Sequence, residues 1–135
     1  MVHAQSNSDV FKRVWELYAA GRGPEILEHL DPAVEWRPAL IEPAPYHGHA
    51  GVRTWAAAVG RAWKSVTVVH EELREVDGCV VASARIAAFD HRGDRAVDDV
   101  FTFVVEFRDG RIVRACSFSS VDDALTWVSA RPALP

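Results

Sequence analysis

From Ser65 onward the chain carries four β-rich segments, 65–76, 79–90, 96–107 and 111–119, divided by Asp77-Gly78, by His91-Arg92-Gly93-Asp94 and by Asp109-Gly110. Asp-Gly supplies the consecutive positive φ angles of a two-residue hairpin turn, so apolar segments flanking it pair as neighbours. Consecutive hairpins make an antiparallel meander. A sheet of that size must bury at least one face, and the residues before Ser65 have to supply the cover.

Those residues read as helices. Phe11, Val14, Trp15 and Tyr18 recur at helical spacing in Asp9 to Ala20, and Gly21 supplies a stop. Pro24 opens a short helix through Ile26, Leu27 and Leu30, which Asp31-Pro32 ends. Ala33 to Arg37 reads as a short strand, and Pro38 to Gly48, with three prolines, as a loop. Val52, Trp55, Ala56, Val59 and Trp63 stripe a third helix over about 50–63. Ser120 with Asp123 resembles a capping box for a last helix through Leu125, Trp127 and Val128, and the tail Pro132 to Pro135 is expected to fray.

Helices followed by a meander predict one α+β domain spanning 1–135, with a core over 8–130: a curved antiparallel sheet packed on three to four helices. Both strand faces are apolar. In 79–90, Val80, Ala82, Ala84 and Ile86 face one way, and Val81, Ala87 and Phe89 the other. A second apolar face predicts a homodimer through the sheet.

Composition narrows the partners. A net charge of −4 with interspersed signs, and only two lysines, Lys12 and Lys64, argue against nucleic acid. No run of eighteen apolar residues exists to span a membrane, and Met1 to Asp9 lacks the apolar stretch of an export signal. Cys79 and Cys116 lack metal-like spacing and read as reduced thiols of a cytoplasmic protein. His47 and His49 could share a metal, but no third ligand is placed, so they read as loop residues; no metal or cofactor is expected.

The order helix, short helix, strand, loop, helix, meander resembles the nuclear-transport-factor-2-like superfamily (cystatin-like folds), in its SnoaL-like branch. The resemblance rests on Leu27-Glu28-His29-Leu30-Asp31-Pro32-Ala33-Val34-Glu35-Trp36, on Tyr46-His47-Gly48-His49-Ala50-Gly51-Val52, and on Phe107-Arg108-Asp109-Gly110-Arg111-Ile112-Val113-Arg114. It implies a cone-shaped barrel whose open end admits a small hydrophobic molecule. It does not fix a reaction, because the family mixes isomerases, hydrolases, cyclases, dehydratases and non-enzymes.

Three catalytic sets known in the family fit incompletely. Similarity to the steroid isomerases would place its tyrosine and two acids at Val14, Trp36 and Phe103 or Thr102, none of which moves protons. The polyketide-cyclase histidine and aspartate would fall at Phe103 and Ser117. The limonene-epoxide hydrolase Asp-Arg-Asp set would fall on Arg85, Ala87 and Ser117, keeping the arginine alone.

What remains is a polar set among aromatics. Strand alternation groups Ser83, Arg85, Ala87 and Phe89, and Asp99, Phe101, Phe103, Val105 and Phe107. Family geometry turns both sets to the cavity with Val113, Ala115, Ser117 and Ser119. A hairpin centred on Arg92 puts Arg85 opposite Asp99, and a buried arginine needs such a partner. The pair is then either a self-satisfied ion pair or a catalytic one, with Arg85 on a substrate oxygen, Asp99 as base and Ser117 orienting. Asp98 should be exposed or at the dimer face. Tyr18, Trp36, Trp55, Trp63, Phe89, Phe101, Phe103 and Ser119 are the candidate substrate contacts, while His70, on an unassigned face, is a surface or satisfied residue or a proton shuttle. The expected function is a cofactor-independent hydrolase, isomerase or lyase on a small apolar molecule with one polar oxygen. The rival is a non-catalytic binding or dimerisation module.

Overall fold

A computed structural model describes residues 6–20, 22–37 and 46–131. The helix stop at Gly21, most of the loop expected over 38–48 and the tail from Pro132 lie outside the described residues. The chain runs α1 (Asn7–Ala19), a 3₁₀ helix (Gly23–His29), β1 (Leu30–Trp36), β2 (Tyr46–His47), α2 (Gly48–Ala62), β3 (Ser65–Val76), β4 (Cys79–Phe89), β5 (Arg95–Arg108), β6 (Arg111–Phe118) and α3 (Val121–Ala130). The architecture is α+β, as expected. Asp31-Pro32 belongs to β1 rather than breaking the chain between helix and strand.

The strands form one sheet ordered β2-β1-β6-β5-β4-β3. The meander is antiparallel, as expected, and β1 joins it beside β6, to which it runs parallel. The chain between β1 and the meander includes α2, long enough to return β1 alongside β6 in the same direction. Both Asp-Gly turns form as expected, Asp77 and Gly78 at φ 49° and 79°, Asp109 and Gly110 at φ 54° and 77°. Gly48 starts α2 at φ 67°, and a Cβ there would sit 3.1 Å from the Pro32 carbonyl oxygen, so that corner needs glycine twice over.

One face of the sheet carries Val80, Ala82 and Val105 into a core with Phe11, Val14 and Leu17 of α1, Val52, Trp55 and Val59 of α2, and Val34 and Trp36 of β1. The other face carries Cys79, Val81 and Val104 against Ala124 and Val128 of α3. Part of the second apolar face is therefore covered by the chain's own last helix. Ser120 caps that helix, its Oγ accepting from the Asp123 N–H at 3.1 Å.

Register carries the main surprise. Arg85 pairs with Val100, and Asp99 with Ile86, because the ladder shifts between Ala88–Val97 and Phe89–Arg95. Ala96 is the extra residue of that bulge. A one-residue slip moves a side chain to the opposite face of the sheet, and that is what separates Arg85 from Asp99.

Candidate functional site

Between α1 and the sheet lies a cleft with almost wholly apolar walls. Phe11, Val14, Trp15 and Tyr18 come from one stripe of α1, Trp55 from α2 and Trp36 from β1. Ile86, Phe103, Val105, Ile112, Ala115 and Ser117 come from the inward positions of β4, β5 and β6. The aromatic rings pack edge to face or tilted rather than stacked. Trp15 lies 5.6 Å from Phe103, Tyr18 5.6 Å from Trp55, and Trp36 5.2 Å from Trp55. The cavity volume is about 40 Å³, a narrow slot between rings.

Of the positions that the resemblance gave to catalytic groups, Val14, Trp36, Phe103 and Ser117 are on this wall, and Arg85 and Ala87 are not. Phe103 and Ser117 are direct partners across β5 and β6. Among the described residues of the wall there is no carboxylate and no imidazole.

The polar groups on the wall are few. Burial raises the Tyr18 phenol above its usual value of 10.0, so it stays a hydrogen-bond donor at neutral pH. Burial also pushes the Cys116 thiol up to about 11, which leaves it protonated and poorly nucleophilic. Ser117 Oγ, Trp36 Nε1 and Trp55 Nε1 are buried with no hydrogen-bond partner among the described residues. Three unpaired buried polar atoms around one slot are uncommon in a folded protein.

Arg37 follows the end of β1. Its N–H donates to the Ala115 carbonyl at 2.8 Å, and its Nε and Nη2 donate to Glu35 Oε1 at 3.1 and 2.8 Å. Beyond it opens a second, wider cleft of about 420 Å³, lined by Glu35, Arg37, Arg114, Cys116, Ser117, Phe118 and Trp127. Arg37, Cys116 and Ser117 line both. Arg114 in this cleft is buried. It donates to Glu106 Oε1 at 3.0 and 2.7 Å, and its guanidinium lies 4.8 Å from the Trp127 ring centre. Arg131 reaches the other oxygen of Glu106 at 3.4 Å.

The expected Arg85–Asp99 pair does not form. The Arg85 side chain is 52% exposed on the outer face and donates to Asp98 Oδ1 at 3.0 Å, while Arg95 donates to the second Asp98 oxygen at 3.0 Å. Those two arginines hold the Asp98 carboxyl below its usual range, with the Arg85 hydrogen bond the larger cause. Asp99 is exposed and accepts from the Val100 N–H at 2.8 Å. Neither residue lies on the slot wall: Arg85 alternates with the inward Ile86 and so faces outward, and Asp99, the partner of Ile86, is exposed.

Of the other candidates, Ser117, Tyr18, Trp36, Trp55 and Phe103 are brought together on the wall. Trp63 packs half-buried at the edge of the main core, and Phe101 against Ala84, Ile86 and Phe103. Phe89 takes the Arg95 guanidinium 5.5 Å from its ring centre, and Ser119 donates to Asp123 at 3.5 Å. These four do not line the slot. His49 holds the Leu30 carbonyl at 2.9 Å, and among the described residues no three His, Cys, Asp or Glu side chains gather to hold a metal. The sequence reading missed Arg37, Ile86 and Ile112 altogether, and it placed Phe11, Val14 and Trp15 on a helix stripe without assigning them to the cavity.

His70 turns inward, with Glu71 as the extra residue of a bulge between the His70–Ala84 and Glu72–Ser83 pairs. Its ring lies 5.4 Å from Phe11 and 6.5 Å from Trp15, and its buried Nδ1 has no partner among the described residues. Burial first, and the Lys12 charge second, lower its pKa from 6.5. The unfolded chain therefore binds this proton more readily than the folded one. Stability from neutral His70 is complete above pH 6.5 and is lost as pH falls from there towards the depressed folded value. Thermal melts between pH 7 and 5 should fall less steeply in His70→Gln than in the native protein; parallel profiles would contradict this.

Comparison with known proteins places this geometry. Residues 11–115 match the model of the SnoaL-like domain. A nuclear-transport-factor-2-like protein of unknown function from Burkholderia pseudomallei K96243 superposes with a TM-score of 0.76 at 20% identity, over 90% of this chain and 97% of that one. TerC, co-crystallised with polyporic acid, gives 0.74 at 21% identity over 91% and 98%. A SnoaL-like protein from Jannaschia sp. CCS1, proposed to be a polyketide cyclase, gives 0.72 at 16% identity over 97% and 100%. At these identities the likeness shows the fold. No protein of curated function matches the chain in sequence. Among the described residues no helix is long and apolar enough to cross a membrane.

Proposed function

This chain belongs to the SnoaL-like domain family, and on that premise we propose that it is a cytoplasmic small-molecule pocket protein that takes a flat, mostly apolar ligand into the aromatic slot. The observation that carries this reading is the slot itself: six aromatic or indole rings, from α1, α2, β1 and β5, around one cleft. Aromatic and aliphatic walls favour a planar apolar body, which enters the slot of about 40 Å³ as the slot's rings move apart, and a few placed polar groups orient it. Tyr18 and Ser117 are those groups, each able to donate to an oxygen on the ligand. The structural neighbour co-crystallised with polyporic acid supports a small organic acid as the kind of molecule this fold receives.

A catalytic reading comes second, and a neighbour proposed to be a polyketide cyclase favours it. With no carboxylate or imidazole among the described residues of the wall, the slot holds no general base. The chemistry within its reach is ring closure of a molecule that enters already ionised as an enolate, its proton lost to solvent, the enolate carbon bonding to a carbonyl carbon whose oxygen becomes an oxyanion. Tyr18 and Ser117 would stabilise the developing oxyanion by hydrogen bonding. No cofactor enters this scheme.

Titration with a neutral aromatic probe, 2-naphthamide, tests the binding reading through quenching of tryptophan emission. We expect saturable quenching in the native protein and its loss in Ala115→Phe, which fills the slot from β6, with the native near-ultraviolet circular dichroism retained. Equal quenching in both proteins, or none in the native one, would rule out the slot as the site.

A further inference from the structure

Building on the slot reading, we propose that Arg37 is a specificity-determining residue that selects an acidic ligand, one whose apolar body lies in the slot and whose carboxylate or ionised hydroxyl meets the guanidinium at its mouth. Arg37, Cys116 and Ser117 line both the slot and the wider cleft, so the guanidinium borders the slot and is also open to the space beyond it. Of the shared residues, Arg37 alone carries a charge.

Arg37 is placed for this. Its backbone is fixed by the hydrogen bond to Ala115, and its side chain is half exposed. Glu35 engages Nε and one N–H of Nη2, so two of the five guanidinium donors hold the group in place. Nη1 and the second Nη2 hydrogen have no acceptor among the described residues, and a planar carboxylate suits that edge of the fork.

The chemical class that follows is an aromatic or polyene carboxylic acid, or an acidic enol or phenol. A neutral hydrocarbon would use the slot alone and gain nothing from the arginine.

The test compares two probes of one shape, 2-naphthoate and 2-naphthamide, by titration calorimetry at pH 7.5 on the native protein and on Arg37→Gln. We expect naphthoate to bind about tenfold more tightly than naphthamide, the scale of one charge-assisted hydrogen-bonded contact. Raising the salt should erode that preference. In Arg37→Gln the preference should vanish through loss of naphthoate affinity, with naphthamide affinity within about twofold of native. Equal affinities for the two probes in the native protein, or a preference that survives in Arg37→Gln, would overturn the role of Arg37 and leave the slot reading standing. Failure of both probes to bind the native protein would overturn the slot reading itself, and this inference with it.

Discussion

Glu106→Ala lowers the melting temperature by roughly 12 °C, on an expected loss of about 3 kcal/mol and about 4 °C per kcal/mol for a chain of this length. The reason is the charge left behind. The Arg114 side chain is 5% exposed and donates two short hydrogen bonds to one Glu106 oxygen, while Arg131 leans on the other. Removing the carboxylate leaves a guanidinium poorly solvated beneath Trp127, and its stacking on that ring does not replace an anion. The figure is set at the low end for breaking a buried pair, because Arg114 borders the wider cleft. Replacing both members, as in Glu106→Leu with Arg114→Met, should cost less than Glu106→Ala alone, since apolar groups in place of a buried ion pair are often close to neutral. A double variant less stable than the single one would show that the pair is worth more than its desolvation costs. Arg131 also donates to the Val128 and Asp77 carbonyls, so Glu106 ties α3 to the β3–β4 turn through it, and the loss should include looser packing of α3.

Trp55→Ala is the second large effect, with about 3–5 kcal/mol lost and slot binding abolished. Trp55 is 4% exposed and joins the Tyr18 and Trp36 rings, so its removal opens the slot wall and frees both neighbours. Trp55→Phe separates the ring from its polar atom. The indole Nε1 is buried without an acceptor among the described residues, a state that costs about 1–3 kcal/mol. Phenylalanine loses ring area but relieves that cost, so we expect it within about 1 kcal/mol of native by urea denaturation. A Trp55→Phe variant as unstable as Trp55→Ala would show that Nε1 is satisfied in the folded protein.

The two effects bear on different halves of the molecule, and the sequence foretold them unequally. The hairpins were legible because Asp77-Gly78 and Asp109-Gly110 leave the backbone few other conformations. The helix stripes were legible because Phe11, Val14 and Trp15 recur at the helical period, and so was much of the wall, since Trp36, Phe103 and Ser117 follow from strand alternation and family spacing. Pairing across the sheet was not legible. Bulges at Glu71 and Ala96 insert single residues with no signature in composition, and the second puts Asp98 rather than Asp99 on the same face as Arg85. Arg37 escaped for another reason. It lies past the end of β1, where alternation no longer says which way a side chain goes, and its position comes from its bond to Ala115 and its pairing with Glu35.

The consequence is that the acid expected at the centre of the cavity, Asp99, is absent from the described wall, and the cation expected inside, Arg85, stands on the outer face. The central claim is therefore about place: an apolar ring lies among Trp15, Trp36, Trp55 and Phe103, and not against the outer face. The most direct measurement is a crystal structure of the protein bound to 6-bromo-2-naphthoate, read from the anomalous signal of bromine. The account predicts a single bromine peak inside the slot, in contact with the Phe103 ring. A peak against Phe118 and Trp127 in the outer cleft, or no bound probe at all, would contradict it.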